Sequence, residues 1–423
     1  MMEEMYYFGV LIRLERMKQK RDQREVSYGI CVPSYLCKIE KCKVCPDEEL
    51  VSKLLKKLGI TYYNEPEMLD ECNNLLQQYW QCLKYATEKE EIYNSLKKKK
   101  NYLMYSKLAI EFRLIEAMEE EGDYQDLEPF FEIMNDRQQG IYCLLQGLES
   151  PLEERIPLLE KAYDKLKESF VLIRIMECYL ELGEYGKIQH METKCINQAL
   201  EEGCVYSLIS CYFFIGTAYA CLNLEEMMIS YYNRSIQLAK NTIWEHIITF
   251  IYYNMGAVFL CLKQYEEGIG YLKKAKQFYE LKIDGCNKEL EQDQTNYLER
   301  DFYINQKLAL AYIRKGEKEK SRCYIECMKT YVNQKEREID NKECMEQIIL
   351  EEVCMELRED YREEYESLLL MEQLLDRLKK DMHFGYVYFY KDVLLDIYCS
   401  QRKYKKALEF EREISGKIKK LVF

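Results

Sequence analysis

The feature that most constrains the fold is an internal repeat, in which one pattern of small and aromatic residues returns after 40 residues. Residues 213–240 align with residues 253–280, and each segment places a glycine, Gly216 or Gly256, three residues before an aromatic side chain. A unit of this size cannot bury its apolar face alone, so neighbouring units must stack on one another. The sequence therefore predicts an array of stacked units in much of the chain.

The composition predicts that these units are helical. Among 423 residues there are 6 prolines and 17 glycines, so few positions interrupt a helix. Residues 1–12 lack a secretory signal, and no uncharged apolar stretch of about 18 residues provides a membrane span. We expect a soluble cytoplasmic protein with no membrane partner, whose 19 cysteines are reduced thiols.

The charge is unevenly distributed along the chain. The whole protein carries a net charge of −13, yet residues 1–60 contain 12 Lys and Arg against 9 Asp and Glu. The N-terminal segment is therefore +3 and the remainder −16. A local basic excess in an acidic chain favours a nucleic-acid-binding region at the N terminus.

Start and stop signals divide the first sixty residues into short helices. Asp22 and Glu25 have the spacing of a capping box at the start of a second helix, and Gly29 is suited to ending it. Pro33 suits the first turn of a third helix, and Pro46 is expected to open a fourth. These signals predict a small helical domain at the N terminus.

Two spaced motifs in this domain carry a resemblance to a known family. They are G-x-x-I-x-x-x-R at 9–16 and, after Gln23, G-I-C-x-x-S-x-L-x-K-I-E at 29–40. The segment from Phe8 to Ile60 resembles the XRE or Cro/repressor type of helix-turn-helix domain. Its second motif is most similar to peptide-responsive regulators of the RRNPP group (the PlcR, PrgX, Rgg and NprR type). The resemblance implies an internal ion pair between Arg16 and Glu40, with base-reading and phosphate contacts along the third helix. The DNA-binding residues it implies are Gln23, Arg24, Pro33, Ser34, Tyr35, Lys38, Lys41 and Lys43.

Three positions depart from the family pattern. Val32 replaces the usual polar cap of the third helix, Lys20 stands where Gly or Asn commonly ends the first, and Cys42 replaces a glycine after the third. Each change is expected to cost about 0.5–1 kcal/mol. A degenerate domain that no longer binds DNA is therefore an alternative interpretation.

Four cysteines lie within fifteen residues of one another: Cys31, Cys37, Cys42 and Cys45. The C-x-x-C spacing at 42–45 is compatible with a zinc or thiol-sensing site. A second close pair of ligands is missing, and cysteine is common throughout this chain, so small-residue substitution is the simpler interpretation.

The repeats resemble tetratricopeptide units, which carry a small residue near position 8 and an aromatic residue at position 11. The complete expectation is an all-α chain: a five-helix helix-turn-helix domain at 1–62, a helical connector at 63–100, and a right-handed α-solenoid of tetratricopeptide-like helix pairs at 101–423. Position 11 is occupied by Tyr179, Tyr219, Phe259, Tyr312 and Tyr398.

In such an array the first helix of each pair lines the concave face. Aromatic and polar side chains alternate there, which suits a short and partly apolar peptide. The amide of Asn254 can both donate to and accept from an extended peptide backbone. The alternative is that the aromatic residues simply pack. Glu177, Phe389 and Asp392 map to the same face. The candidate peptide-binding residues are Arg174, Phe213, Thr217, Phe250, Tyr253, Asn254, Tyr303, Gln306 and Lys307.

Catalytic motifs are missing from the sequence. The three histidines are far apart, and there is no phosphate-binding loop or nucleophile elbow. We therefore expect no enzyme, no cofactor and no resident metal. The preferred hypothesis is a homodimeric transcription regulator that binds a palindromic operator in double-stranded DNA and a short signalling peptide of the quorum-sensing kind. The alternatives are a Rap-like protein-binding regulator with a relic DNA domain, and a thiol- or metal-responsive regulator.

Overall fold

A computed structural model describes residues 2–120, 124–222, 224–283, 291–338, 344–381 and 384–419. About 81% of the chain is helical and the described residues contain no strand, so the predicted all-α class is confirmed. None of the described helices is long and apolar enough to cross a bilayer. The chain divides into two compact units, Met1–Ile175 and Met176–Phe423.

The first unit begins with four helices before residue 62. A fifth helix starts just beyond the predicted boundary at residue 62. In order, the elements are α1 (Met2–Lys18), α2 (Gln23–Ser27), α3 (Pro33–Glu40), α4 (Glu48–Leu58), α5 (Pro66–Tyr85), α6 (Glu90–Lys98), α7 (Lys100–Met104), α8 (Ala109–Glu120), a 3-10 helix (Gln125–Ile133), α9 (Asp136–Glu149), α10 (Leu152–Leu166) and α11 (Ser169–Leu182), which crosses into the second unit.

Side-chain caps mark the start of two of these helices, α2 and α4. The Asp22 carboxylate accepts a hydrogen bond from the Glu25 amide at 2.7 Å, and Gly29 follows α2 with φ of 75°. The fourth helix corrects a prediction, because Pro46 lies before it and does not open it. Asp47 caps α4 by accepting from the Leu50 amide at 2.8 Å. The Asp47 carboxylate can accept a hydrogen bond from an unpaired backbone N–H at the start of the helix, whereas the side chain of proline has no acceptor.

The three departures from the family pattern are visible in the backbone. Lys20 and Cys42 adopt left-handed φ values of 54° and 53°, which L-residues other than glycine rarely take. Val32 occupies the N-cap of α3 and makes no side-chain capping bond. α1 and α3 are also in close contact, because a Cβ added at Gly9 would collide with the Ile39 carbonyl. The domain keeps its packing despite these strained connections.

The second unit is built from helix pairs joined by short turns. Each pair packs along its length, which confirms the tetratricopeptide-like solenoid. Its elements are α12 (Tyr185–Glu202), α13 (Val205–Cys221), α14 (Glu225–Ala239), α15 (Ile247–Cys261), α16 (Tyr265–Ile283), α17 (Glu291–Arg314), α18 (Lys318–Glu338), α19 (Met345–Glu356), α20 (Tyr365–Asp381), α21 (Phe384–Phe389), α22 (Lys391–Ser400) and α23 (Tyr404–Lys419).

The repeated glycines explain how the pairs close. A Cβ built on Gly216 of α13 would lie 2.6 Å from the Tyr232 ring, and one built on Gly256 of α15 would lie 2.5 Å from Leu272. Both contacts are closer than real Cβ atoms approach. The small residue at position 8 therefore gives room to the large side chain on the second helix of its own pair.

Candidate functional site

The third helix of the N-terminal domain has one buried and one exposed face. Leu36 and Ile39 are buried, whereas Pro33, Ser34 and Lys38 are exposed. Pro33, Ser34 and Lys38 therefore lie on the outer face of α3. The other proposed DNA-binding residues on and around α3 differ in exposure. Arg24, Lys41 and Lys43 are exposed, and Tyr35 is half-buried.

The predicted ion pair between Arg16 and Glu40 is confirmed. Arg16 donates from Nε to Glu40 Oε1 at 2.6 Å and from Nη2 to Oε2 at 2.9 Å. The hydrogen bond with Glu40 raises the pKa of Arg16. Glu40 is 1% exposed and also accepts from Gln23 Nε2 at 2.7 Å. The Gln23 amide, expected at a phosphate or base edge, is thus engaged inside the domain.

The four N-terminal cysteines have different environments. Cys31 and Cys37 are half-buried, Cys42 is buried and Cys45 is exposed. Burial raises the pKa of Cys31, and it raises that of Cys42 to about 11, which opposes thiolate formation. Within the described ranges, no group of three or more His, Cys, Asp or Glu residues is arranged to hold a metal ion.

The second unit contains a cleft between the first helices of three repeat pairs, α13, α15 and α17, and the short α21. Its cavity volume is about 90 Å³, which is small beside the roughly 300–1,000 Å³ of sites that enclose a drug-sized ligand. Most of its wall is apolar or aromatic. The lining residues are Thr217, Ala220, Cys221, Tyr232, Tyr253, Asn254, Ala257, Val258, Cys261, Lys307, Gly385, Tyr386, Tyr388 and Phe389.

Polar groups on one wall of this cleft are linked through a tyrosine. The Tyr232 hydroxyl is 2.9 Å from Thr217 Oγ1 and accepts from Asn254 Nδ2 at 3.2 Å. Burial raises the pKa of Tyr232 above its ordinary range, so the hydroxyl stays protonated. Asn254 is half-buried and lines the cleft. Its amide is oriented by Tyr232 at the surface of the cavity.

Lys307 is the most unusual group in the cleft. Its side chain lies in α17 and is 2% exposed, yet Nζ makes no hydrogen bond to any described residue. Nζ lies 3.2 Å from the centroid of the Phe389 ring. Burial lowers the pKa of Lys307 to about 7. A buried amine without a partner is costly and uncommon in proteins.

A buried polar network lies behind Lys307. Arg314 donates to Glu356 through Nε at 3.0 Å and through Nη2 at 2.6 Å, which forms a two-point ion pair. Burial raises the pKa of Glu352 well above its ordinary value. Burial also opposes ionisation of Glu356, but Arg314 outweighs it and lowers the pKa of that carboxyl. The network therefore pairs the Glu356 carboxylate with Arg314 and disfavours ionisation of Glu352.

Tyr390 joins this network to α17. Its hydroxyl accepts from Gln306 Nε2 and donates to Glu352 Oε2 at 3.3 Å. Gln306 and Tyr390 are both almost completely buried. Through these hydrogen bonds Tyr390 links Gln306 of α17 to Glu352 of α19.

The structure brings together four of the predicted peptide-binding residues, and with them Phe389. Thr217, Tyr253, Asn254 and Lys307 line the cleft. Five other predicted residues lie outside its wall. Arg174 is exposed on α11 in the first unit, Phe213 packs near Tyr232, Phe250 lies under the Arg300 guanidinium, Tyr303 contacts Phe302, and Gln306 binds Tyr390.

The sequence analysis missed the cleft residues that do not belong to first helices. Tyr232 comes from α14, and Gly385, Tyr386 and Tyr388 come from the short α21. The Glu352–Glu356 pair was missed as well, because α19 carries two further acids, Glu346 and Glu351, and the sequence does not single out the buried pair.

No protein-family model matches the sequence, and no curated protein matches it. Solved structures do match the fold. A Rap protein complexed with competence and sporulation factor has a TM-score of 0.57 at 14% identity, and the alignment covers 83% of this chain and 98% of the Rap chain. The apo form of the quorum sensor NprR from B. thuringiensis has a TM-score of 0.56 at 18% identity, covering 82% and 99%. At these identities the likeness concerns the all-α repeat fold.

Proposed function

We propose that this protein is a peptide-responsive transcription regulator. Its second unit binds a short extended peptide in the cleft described above, and its N-terminal helix-turn-helix domain, residues 1–62, binds DNA. The observation that carries the proposal is the cleft, which combines an aromatic wall with an oriented amide, Asn254, and an unpaired buried amine, Lys307. Such a mixture of apolar area and few placed polar groups is what a peptide-binding groove requires.

The fold supports the same proposal. The Rap structure is a complex with competence and sporulation factor, and NprR is described as a quorum sensor. Both share the repeat architecture with this chain, and in both cases the alignment covers nearly the whole of the other protein. A receptor for a short signalling peptide is the proposed role that fits this architecture and the cleft together.

DNA binding is supported by the exposed edge of the N-terminal domain. Ser34 and Lys38 are exposed on α3, and Arg24, Lys41 and Lys43 are exposed around it. The Arg16–Glu40 pair fixes α3 against α1, as a recognition helix needs in order to present a rigid surface. We propose that two copies of the chain bind the two halves of a palindromic operator.

The peptide half of the proposal is tested by affinity selection. A synthetic heptapeptide library is incubated with the full chain, and retained peptides are identified by mass spectrometry. Ala257→Trp fills the cleft and is expected to abolish retention. The control Gly270→Trp adds the same ring at an exposed position of α16 where a Cβ would meet nothing within 4 Å. Equal retention by Ala257→Trp and the wild type would place the peptide elsewhere.

The DNA half is tested by selecting sites from a random double-stranded pool at low salt. The selected sequences should contain two related half-sites. Lys38→Ala should weaken binding to them by about 1–3 kcal/mol. If the wild type retains no DNA, the N-terminal domain is a relic and the protein acts through its repeats alone.

A further inference from the structure

We propose that the cleft recognises a carboxylate group of its peptide, and that the amine of Lys307 binds that carboxylate. The inference deepens the proposed peptide-binding function and rests on it. It assigns a chemical preference to the ligand, which is an anionic peptide with either a free C terminus or an acidic side chain.

The amine of Lys307 is buried beside the cleft without a hydrogen-bonding partner among the described residues. Lys307 is buried to 2% exposure, lines the cleft and makes no hydrogen bond to a described residue. An ammonium group has three donors and no acceptor. The cost of burying it is offset when an anion accepts from it. Within the cleft the amine is the group best placed to receive such an anion.

The neighbouring acids form no hydrogen bond with the amine of Lys307. Glu356 forms its two-point pair with Arg314. Glu352 accepts from the Tyr390 hydroxyl through Oε2, and burial raises the pKa of this carboxyl well above its ordinary value. Neither carboxylate forms an ion pair with Lys307 in the described part of the chain. The carboxylate of a ligand can therefore supply the hydrogen-bond acceptor that the amine lacks within the described residues.

Three aromatic rings lie around the amine of Lys307. Nζ lies 3.2 Å from the Phe389 centroid, 5.4 Å from that of Tyr390 and 5.8 Å from that of Tyr386. Ring faces attract a cation without accepting conventional hydrogen bonds from it. The rings thus hold the amine beside the cleft without using its three hydrogen-bond donors. When a carboxylate binds, the carboxylate and the aromatic rings both stabilise the charged form of the amine.

The expected consequence is selectivity for charge. A hydrogen bond to a charged group in a desolvated site is worth about tenfold or more in affinity. A peptide with a carboxylate at this point should therefore bind at least about tenfold better than its neutral analogue. A peptide whose carboxylates are all replaced by amides would leave the amine buried and unpaired.

The experiment uses the full chain and a heptapeptide library prepared as free acids and as C-terminal amides, each with and without Asp and Glu. Retention is measured by mass spectrometry on the wild type, on Lys307→Met and on the control Lys274→Met, which removes an exposed lysine of α16. Met has a similar shape and removes an unpaired amine, so Lys307→Met is expected to fold. Circular dichroism checks this.

We expect the wild type and Lys274→Met to prefer carboxylate-bearing peptides by about tenfold. Lys307→Met should lose the preference and still retain neutral peptides. Preference confined to free acids identifies the C terminus as the ligand group, and preference that survives in amides with Asp or Glu identifies the side chain.

Two results would overturn the inference while peptide binding stands: equal retention of neutral and acidic peptides by the wild type, or a preference unchanged in Lys307→Met. If the wild type retains no peptide, the proposed function fails, and the inference fails with it.

Discussion

The N-terminal domain and the cleft each contain a buried ionisable side chain, and the two differ in their hydrogen-bonding partners. Glu40 is 1% exposed and accepts hydrogen bonds from both Arg16 and Gln23. Lys307 is 2% exposed and has no hydrogen-bonding partner among the described residues. The difference separates two uses of charge. A buried charge that is hydrogen-bonded within the protein stabilises the fold, whereas a buried charge without such a partner beside a cavity can bind a ligand.

The largest expected effect concerns the satisfied pair. Glu40→Ala strands the Arg16 guanidinium and should destabilise the N-terminal domain by about 3–5 kcal/mol. The double variant Arg16→Met/Glu40→Met removes both charges and should recover much of that loss. Urea unfolding of the full chain, followed by circular dichroism, measures both. A single variant with unchanged stability would mean that this pair does not hold α1 and α3 together.

The opposite outcome is expected for the unsatisfied amine. Lys307→Met should raise the free energy of unfolding by about 2–4 kcal/mol at pH 7, because the folded protein no longer buries an unpaired amine. The pKa of Lys307 is about 7 when folded and roughly 10.4 when unfolded. Between these values only the unfolded chain binds the proton, so this group's destabilising effect shrinks as pH rises.

The gap between Lys307→Met and the wild type should therefore be widest at and below pH 7 and close towards pH 10. The groups that influence the amine are Glu352, Glu356, Arg314 and Cys261, and the substitution leaves all four in place. Urea midpoints measured across this pH range test the prediction. A gap that does not change with pH would show that Lys307 keeps its ordinary pKa in the folded protein.

A smaller effect tests the scaffold that supports the cleft. Gly256→Ala places a Cβ 2.5 Å from Leu272, so α15 and α16 must separate, at a cost of about 1–3 kcal/mol. The matched control is Gly270→Ala on α16, where a Cβ meets nothing within 4 Å. That control should stabilise the helix by about 0.5–1 kcal/mol. Equal effects at the two glycines in a thermal melt would contradict the packing role of position 8.

Motifs made the N-terminal domain predictable from the sequence. The motifs at 9–40 carry the family resemblance, and this resemblance implied the Arg16–Glu40 pair. Helix periodicity places Leu36 and Ile39 on one side of α3 and Pro33, Ser34 and Lys38 on the other. Pro46 was assigned wrongly for a local reason too. Two cap signals, Pro46 and Asp47, are adjacent, and the side chain that can accept a hydrogen bond decided where α4 begins.

The cleft was predictable in part. Repeat positions identified Thr217, Asn254 and Lys307, since the first helix of each pair presents the same face. They did not identify Tyr232 or Tyr386, which reach the cleft from a second helix and from the short α21. Nor did they show that Gln306, one residue before Lys307, points into the buried network. A rotation of about 100° per residue separates such neighbours, and only packing between helices decides which one meets the cavity.

The central claim is that the cleft binds a peptide, and the amide of Asn254 tests it most directly. Calorimetric titration of the wild type with a peptide retained from the library should give saturable binding. Asn254→Ala should weaken this binding about tenfold, because a side-chain amide in a desolvated groove pairs with the peptide backbone. Tyr232→Phe, which removes the hydroxyl that orients Asn254, should have a smaller effect in the same direction. Unchanged affinity in Asn254→Ala would contradict the account, since the peptide would then lie elsewhere.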